Sequence, residues 1–331
     1  MVGTTQKDLR DFPEINLARR LVVRFKLSPP VDILTLAQKY ADVSIEALPF
    51  NADGVCYDLK KSGVRPKIVL NGLRPKTRLR FTLAHELGHV LIPWHTGIMI
   101  DDTTIHPSVM VSYSEMEPEA NRFASEILLP GEWVLNTARI FTDPIELIVH
   151  ISEKAHVSHL AALIKLVPLL EPGHIYAQLN RNGSVEMSGR SPGTLAESPT
   201  YGELPRGSPH FPFVEHFWEG EVRGHKFLWW KLPSHVSMPE AGDGRDWRQI
   251  LDEILEDIPN FSDERHHIRQ SINGIIGAVN GRSSKQTLEE LYASLLLRFE
   301  VRRKEGGFYR YIVEHPKFSD FLIRRLKVIA K

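Results

Sequence analysis

A chain of 331 residues is long enough for two domains with separate hydrophobic cores, and its 42% hydrophobic and 25% charged residues are the proportions of a globular protein. Formal net charge is zero, so no global field draws the chain to nucleic acid or an anionic membrane, and the single cysteine, Cys56, excludes an intrachain disulfide framework or a cysteine zinc cluster. Residues 1–10 lack the basic-then-apolar layout of a secretory signal, and no apolar run is long enough to cross a bilayer, so the expectation is a cytoplasmic protein with no membrane partner.

Residues 14–26 repeat Ile15, Leu17, Ala18, Leu21, Val22 and Phe25 at roughly helical spacing, and Ser28-Pro29-Pro30 separates that helix from another over 31–40. Short strands are expected within 43–55 and 66–71, the second closed by the turn pair Asn71-Gly72. Residues 77–92 form a long helical pattern with Pro93 just past its end. Residues 96–114 hold no periodicity and read as a loop. A helix over 117–129 stops at Pro130-Gly131, and helices fill 132–170. Character changes at Glu171-Pro172-Gly173. Two strands, 174–181 and 184–188, flank Asn182-Gly183, a strong hairpin signal. Residues 190–212 are dense in Pro, Gly and Ser, 213–232 are aromatic and strand-like, and helices return over 246–331. The fold class is α+β, with one domain over 1–171 and a second α+β domain over 172–331.

The chemistry concentrates in His85-Glu86-Leu87-Gly88-His89. Residues four apart lie on one helix face, so His85 and His89 can aim two imidazoles at one point, as a tetrahedral zinc ion requires. Glu86 adjoins the first histidine, where its carboxylate can take a proton from water activated at the metal. Gly88 forgoes about 1 kcal/mol of helix propensity relative to alanine, leaving room for close packing or substrate approach. Phe81, Leu83, Ala84, Leu87, Val90 and Leu91 make the helix apolar nearly all round, so three buried polar side chains need satisfying, and a metal does that.

A catalytic zinc needs a third protein ligand. His95 has the metzincin spacing, but Ile92-Pro93 stands where that motif requires a glycine turn. Glu117 is the better candidate. It opens a helix with Asn121 one turn on, a ligand with a hydrogen-bonding side chain attached that can orient Glu117 or a ligating histidine. Glu115 and Glu119 are competing carboxylates, and Glu119 points to a different face if Glu117 is the ligand.

These residues resemble the ImmA/IrrE metallopeptidases of bacteria and their mobile elements. The resemblance runs through Ile68-Val69-Leu70-Asn71 and Arg80-Phe81-Thr82-Leu83-Ala84-His85-Glu86-Leu87-Gly88-His89, resumes at Glu117, Ala120, Asn121, Phe123 and Ala124, and continues through Leu128-Leu129-Pro130 and Val157-Ser158. It spans about residues 15–170. Leu129 stands where the family commonly has Met, a conservative exchange. The resemblance implies a gluzincin-like site with His85, His89 and Glu117 on one zinc ion and Glu86 as base. It further implies a minimal zincin fold in which Ile68, Val69, Leu70 and Asn71 form an edge strand that an extended substrate can join. The substrate it implies is a protein repressor, often of helix-turn-helix type, cleaved in a stress, phage-defence or mobile-element response.

Hydrolysis also needs an oxyanion donor, for which Tyr113, His95 and His106 are the candidates from the intervening loop. A competing function is a nucleic-acid- or ligand-sensing protein with a vestigial metal site. Residues 151–165 are loosely helix-turn-helix in shape, but the second helix offers only Lys165 as a basic contact, which favours a packing pair. Residues 172–331 match no family known to us and read as a regulatory domain. Their basic tail, with Arg298, Arg302, Arg303, Lys304, Arg310, Lys317, Arg324, Arg325, Lys327 and Lys331 interleaved by Phe299, Phe308, Tyr309, Tyr311, Phe318 and Phe321, suggests single-stranded nucleic acid as the signal. The Trp229-Trp230 pair reads as core of the β region.

Overall fold

The computed structural model describes residues 12–48, 51–102, 113–211, 213–234, 238–259, 264–280 and 287–329. The architecture is mixed α+β, with twelve α-helices and two four-stranded sheets among the described residues. The chain divides into two compact units, Met1–Leu169 and Leu170–Lys331. Among the described residues no helix is long and apolar enough to cross a membrane.

In the first unit, α1 (Pro13–Phe25) starts on a proline, whose missing N–H a first turn does not need, and stops at Lys26 in the left-handed region. Its buried Glu14 accepts from Arg122, and its Arg19 reaches Glu126 at 3.2 Å. Asp32 caps the short α2 (Ile33–Ala37). The sheet comprises β1 (Asp42–Glu46), β2 (Ala52–Leu59), β3 (Lys67–Asn71) and β4 (Gly97–Asp102), in the order β1-β3-β2-β4.

Two expectations fail here. β3, with Ile68, Val69, Leu70 and Asn71, is an interior strand: it pairs parallel with β1 (Val43 opposite Ile68) and antiparallel with β2 (Cys56 opposite Ile68). Its main chain is committed on both sides and cannot take a substrate strand. The stretch read as a loop over 96–114 contains β4, an edge strand on β2, formed by pairing with residues some forty positions earlier and so invisible to local periodicity.

The sheet's β2 packs against α3 (Lys76–Leu91), whose residues Thr82 to Val90 are all buried. Helix α4 (Tyr113–Leu128) begins a turn earlier than expected, so Glu117 lies inside it rather than opening it, and Pro118 sits within the helix. Then follow α5 (Gly131–Ala138), α6 (Pro144–Ala155), capped by Asp143, and α7 (His159–Leu166), capped by Ser158. The α6–α7 pair is a packing pair: Ala162, Leu163 and Leu166 are buried, and Lys165 is held 2.5 Å from the buried Glu126 carboxylate.

The second unit holds an antiparallel sheet, β6-β5-β8-β7, made of β5 (His174–Leu179), β6 (Val185–Arg190), β7 (His216–Val222) and β8 (His225–Lys231). At the β5–β6 turn Gly183 takes φ 77°, and Asn180 accepts from the Asn182 and Ser184 amides. Successive strand residues face opposite ways, so Trp230 joins a core of Ile175, Ala177, Leu228 and Phe211, while Trp229 stacks on Tyr176 at 5.6 Å between centroids.

Helices α8 (Trp247–Glu256), α9 (Arg265–Asn280), α10 (Leu288–Glu305), α11 (Phe308–Glu314) and α12 (Phe318–Ile329) enclose a further core. That core takes up aromatic residues that the base-stacking reading of the tail would need at the surface, and nothing in the fold supports that reading. Phe299, Phe318 and Phe321 are buried in the core, and Tyr309 bonds Ser271 at 2.6 Å. Four of the interleaved cations pair with acids: Arg302 with Glu305, Arg303 with Glu300, Arg310 with Glu314 and Lys317 with Asp243. The basic, aromatic pattern is that of amphipathic helices over a core.

Candidate metal centre

Helix α3 supplies two imidazoles one turn apart, 2% and 0% exposed, with their Nε2 atoms 3.0 Å apart. Gly88 lets α4 come close: a Cβ there would lie 3.1 Å from Phe123 Cδ1 and 3.3 Å from Ala120 Cα. That approach brings Glu117 to both histidines, Oε2 at 3.1 Å from His85 Nε2 and Oε1 at 3.3 Å from His89 Nε2. One donor atom from each of the three residues lies within 4.8 Å of the others. Tetrahedral zinc with ligands at about 2.0–2.1 Å separates neighbouring donors by about 3.3 Å, so the donor set and its spacing fit such an ion.

The outer nitrogens are also engaged. His85 Nδ1 lies 3.0 Å from Asn121 Oδ1, so Asn121 orients a histidine. His89 Nδ1 lies 2.8 Å from His95 Nδ1, and His95 Nε2 lies 2.9 Å from Glu119 Oε2. His95 therefore contacts the nitrogen of His89 that faces away from Glu117. It is not a third donor to the cluster, and with both ring nitrogens occupied it is not an oxyanion donor either. Glu119 serves His95 and accepts from Trp94 Nε1 at 2.6 Å. His106 and the Tyr113 side chain lie outside the described residues.

Burial alone would raise the Glu117 carboxyl, but hydrogen bonds and charge from His85 and His89 bring it down to about 2. Burial lowers His89 to about 4, against the opposing pull of Glu117. Both shifts favour the metal-ready forms, an ionised carboxylate and a neutral imidazole.

Glu86 is fully buried on α3. Strand β2 forms its floor: Gly54 faces it, and beside it burial, then the Glu86 charge, push the Cys56 thiol well up. Lys60, just past β2, donates to the carbonyls of His89 (3.2 Å) and Val90 at the end of α3, where cations suit the helix dipole. Gly54, Lys60 and Trp94 carry no sequence signal, since each acts through a nonlocal contact.

Residues 38–167 match the IrrE N-terminal-like domain, a peptidase family. This segment belongs to the ImmA/IrrE family. As a member of it, the ImmA/IrrE domain here carries a metallopeptidase-like role, and its match covers the sheet, α3, α4 and all three clustered donors. A solved structure described as a Mycobacterium tuberculosis transcriptional regulator is also similar, at 12% identity over 65% of this chain and 74% of that chain, with a TM-score of 0.37. No curated protein matches the chain.

Proposed function

We propose that the chain is a zinc-dependent endopeptidase in which His85, His89 and Glu117 hold the metal and Glu86 is the general base. The observation that carries this reading is the convergence of three donor atoms within 4.8 Å, next to a fully buried glutamate on the same helix as both histidines. When bound, zinc supplies Lewis acidity that activates water and polarises the scissile carbonyl. Glu86 takes the proton of the attacking water and delivers it to the leaving amine. Asn121 holds the His85 ring so that Nε2 faces Glu117.

The resemblance supports a protein substrate, a helix-turn-helix repressor cleaved in a stress or mobile-element response. Main-chain pairing with an extended substrate passes from β3 to β4, an edge strand next to the strand that packs on α3. Residues 170–331 hold none of the three donors and serve as the regulatory unit. A chain ending at Leu169 should keep its metal and lose regulation.

The test uses zinc-loaded full-length protein with the helix-turn-helix repressor encoded beside its gene and with a proteome-derived peptide library. Cleavage by wild type, absent in Glu86→Gln and in chelator, supports the reading. Zinc-loaded wild type that cuts neither substrate contradicts it.

A further inference from the structure

We infer that Glu119 and His95 form a positioning relay behind His89, fixing the tautomer in which His89 Nε2 presents its lone pair to the cluster. The inference rests on the proposed metal site. His95 is fully buried although it follows the helix, because Ile92 leaves α3 in an extended conformation and the His95 amide turns back to the Ile92 carbonyl at 3.2 Å. That turn sets His95 beside His89, the rings tilted by 42° with centroids 4.8 Å apart and the two Nδ1 atoms 2.8 Å apart.

A neutral imidazole has one donor and one acceptor nitrogen, so each contact in the chain constrains the next. If His89 Nε2 is to face a cation, its proton sits on Nδ1 and is donated to His95 Nδ1. His95 then carries its own proton on Nε2, and the acceptor facing it among the described residues is Glu119 Oε2 at 2.9 Å. Trp94 Nε1 donates to the same oxygen at 2.6 Å, which orients the carboxylate. A carboxylate cannot donate in return, so the chain runs one way, from His89 through His95 to Glu119. Helix α4 thus serves both ends: Glu117 meets the inner nitrogen of His89, and Glu119, on another face of the same helix, terminates the outer side. On the outer side of His85, Nδ1 meets Asn121 Oδ1 directly, with no second histidine between them among the described residues.

Outer partners of ligating histidines typically set metal affinity by 10–100-fold. Glu119→Ala should weaken zinc binding by roughly tenfold or more in chelator competition with full-length protein. Glu119→Gln, whose amide oxygen can still accept from His95, should stay within about threefold of wild type, a rescue that loss of packing would not show. Long-range nitrogen–proton NMR of zinc-loaded wild type should show His89 protonated on Nδ1 and His95 on Nε2, a readout that needs no variant. Equal zinc affinity in wild type and Glu119→Ala, or His95 protonated on Nδ1, overturns the relay while leaving the metal site standing. Wild type that binds no zinc overturns both.

Discussion

Gly54 lies against Glu86 so closely that a Cβ at position 54 would fall 2.9 Å from Glu86 Oε1 and 2.6 Å from Thr82 Cγ2. The requirement is one of space, because Gly54 is not among the glycines with positive φ. Thr82 is β-branched and buried in α3, so it yields poorly, and the added Cβ shifts the Glu86 side chain together with this part of the helix. Gly54→Ala should therefore reduce kcat by about tenfold or more, since a displaced base loses the 10²–10⁴-fold it can contribute. Metal content should stay at the wild-type level. Unchanged turnover in this variant would show that Glu86 is not used in the position seen here.

Glu86→Gln keeps the shape of the side chain and removes its basicity. Glu86 adjoins a metal ligand without belonging to the donor cluster, so the variant should fold and bind metal like wild type. Proteolysis should fall by about 10²-fold or more. Steady-state assays alongside elemental analysis decide it, and a metal-loaded variant with normal turnover rules out Glu86 as base.

At Gly88 the constraint comes partly from backbone: the nearest atoms to an added Cβ include Ala120 Cα of α4 at 3.3 Å. Gly88→Val should push α4 away from α3, separate Glu117 from the histidines and cost about 1–3 kcal/mol through overpacking. Thermal unfolding and zinc titration should both register it. A variant as stable and as zinc-avid as wild type would mean that the helices have slack.

The second unit contains a pH-sensitive contact of its own. Burial, reinforced by the Lys231 charge and opposed by Glu171, lowers His174 from 6.5 to about 4. Trp229 Nε1 donates to His174 Nδ1 at 3.1 Å, a bond that a proton on Nδ1 removes. The unfolded chain takes up this proton below about pH 6.5 and the folded one only near 4, so the contribution is intact above 6.5 and lost as pH falls through 4. Melting temperature measured from pH 7 to 4 should fall less steeply in His174→Gln, which cannot titrate and can still accept from Trp229. Parallel pH profiles for the two proteins would contradict the assignment.

The parts of the site legible in the sequence are those with local spacing. His85 and His89, and Glu117 with Asn121, each sit one turn apart on a helix, and the structure needs only one close helix crossing at Gly88 to bring the two sets together. What the sequence hides is pairing between distant segments. β4 owes its existence to β2, and β3 is interior because β1 runs parallel to it, an arrangement no periodicity within 67–71 can reveal. Spacing alone makes His95 a candidate donor, but the turn at Ile92 places it on the far nitrogen of His89. The tail misleads for a related reason: a helix alternating Arg and Phe looks the same whether its aromatic face meets bases or a core, and here Phe299 and Phe321 meet a core.

Metal content of the purified chain bears most directly on the central claim that His85, His89 and Glu117 form one metal site. Elemental analysis should find about one zinc per chain in wild type and in Glu86→Gln, and little in His89→Ala or Glu117→Ala. Wild type without stoichiometric metal, or Glu117→Ala that keeps its zinc while His95→Ala loses it, would contradict the claim.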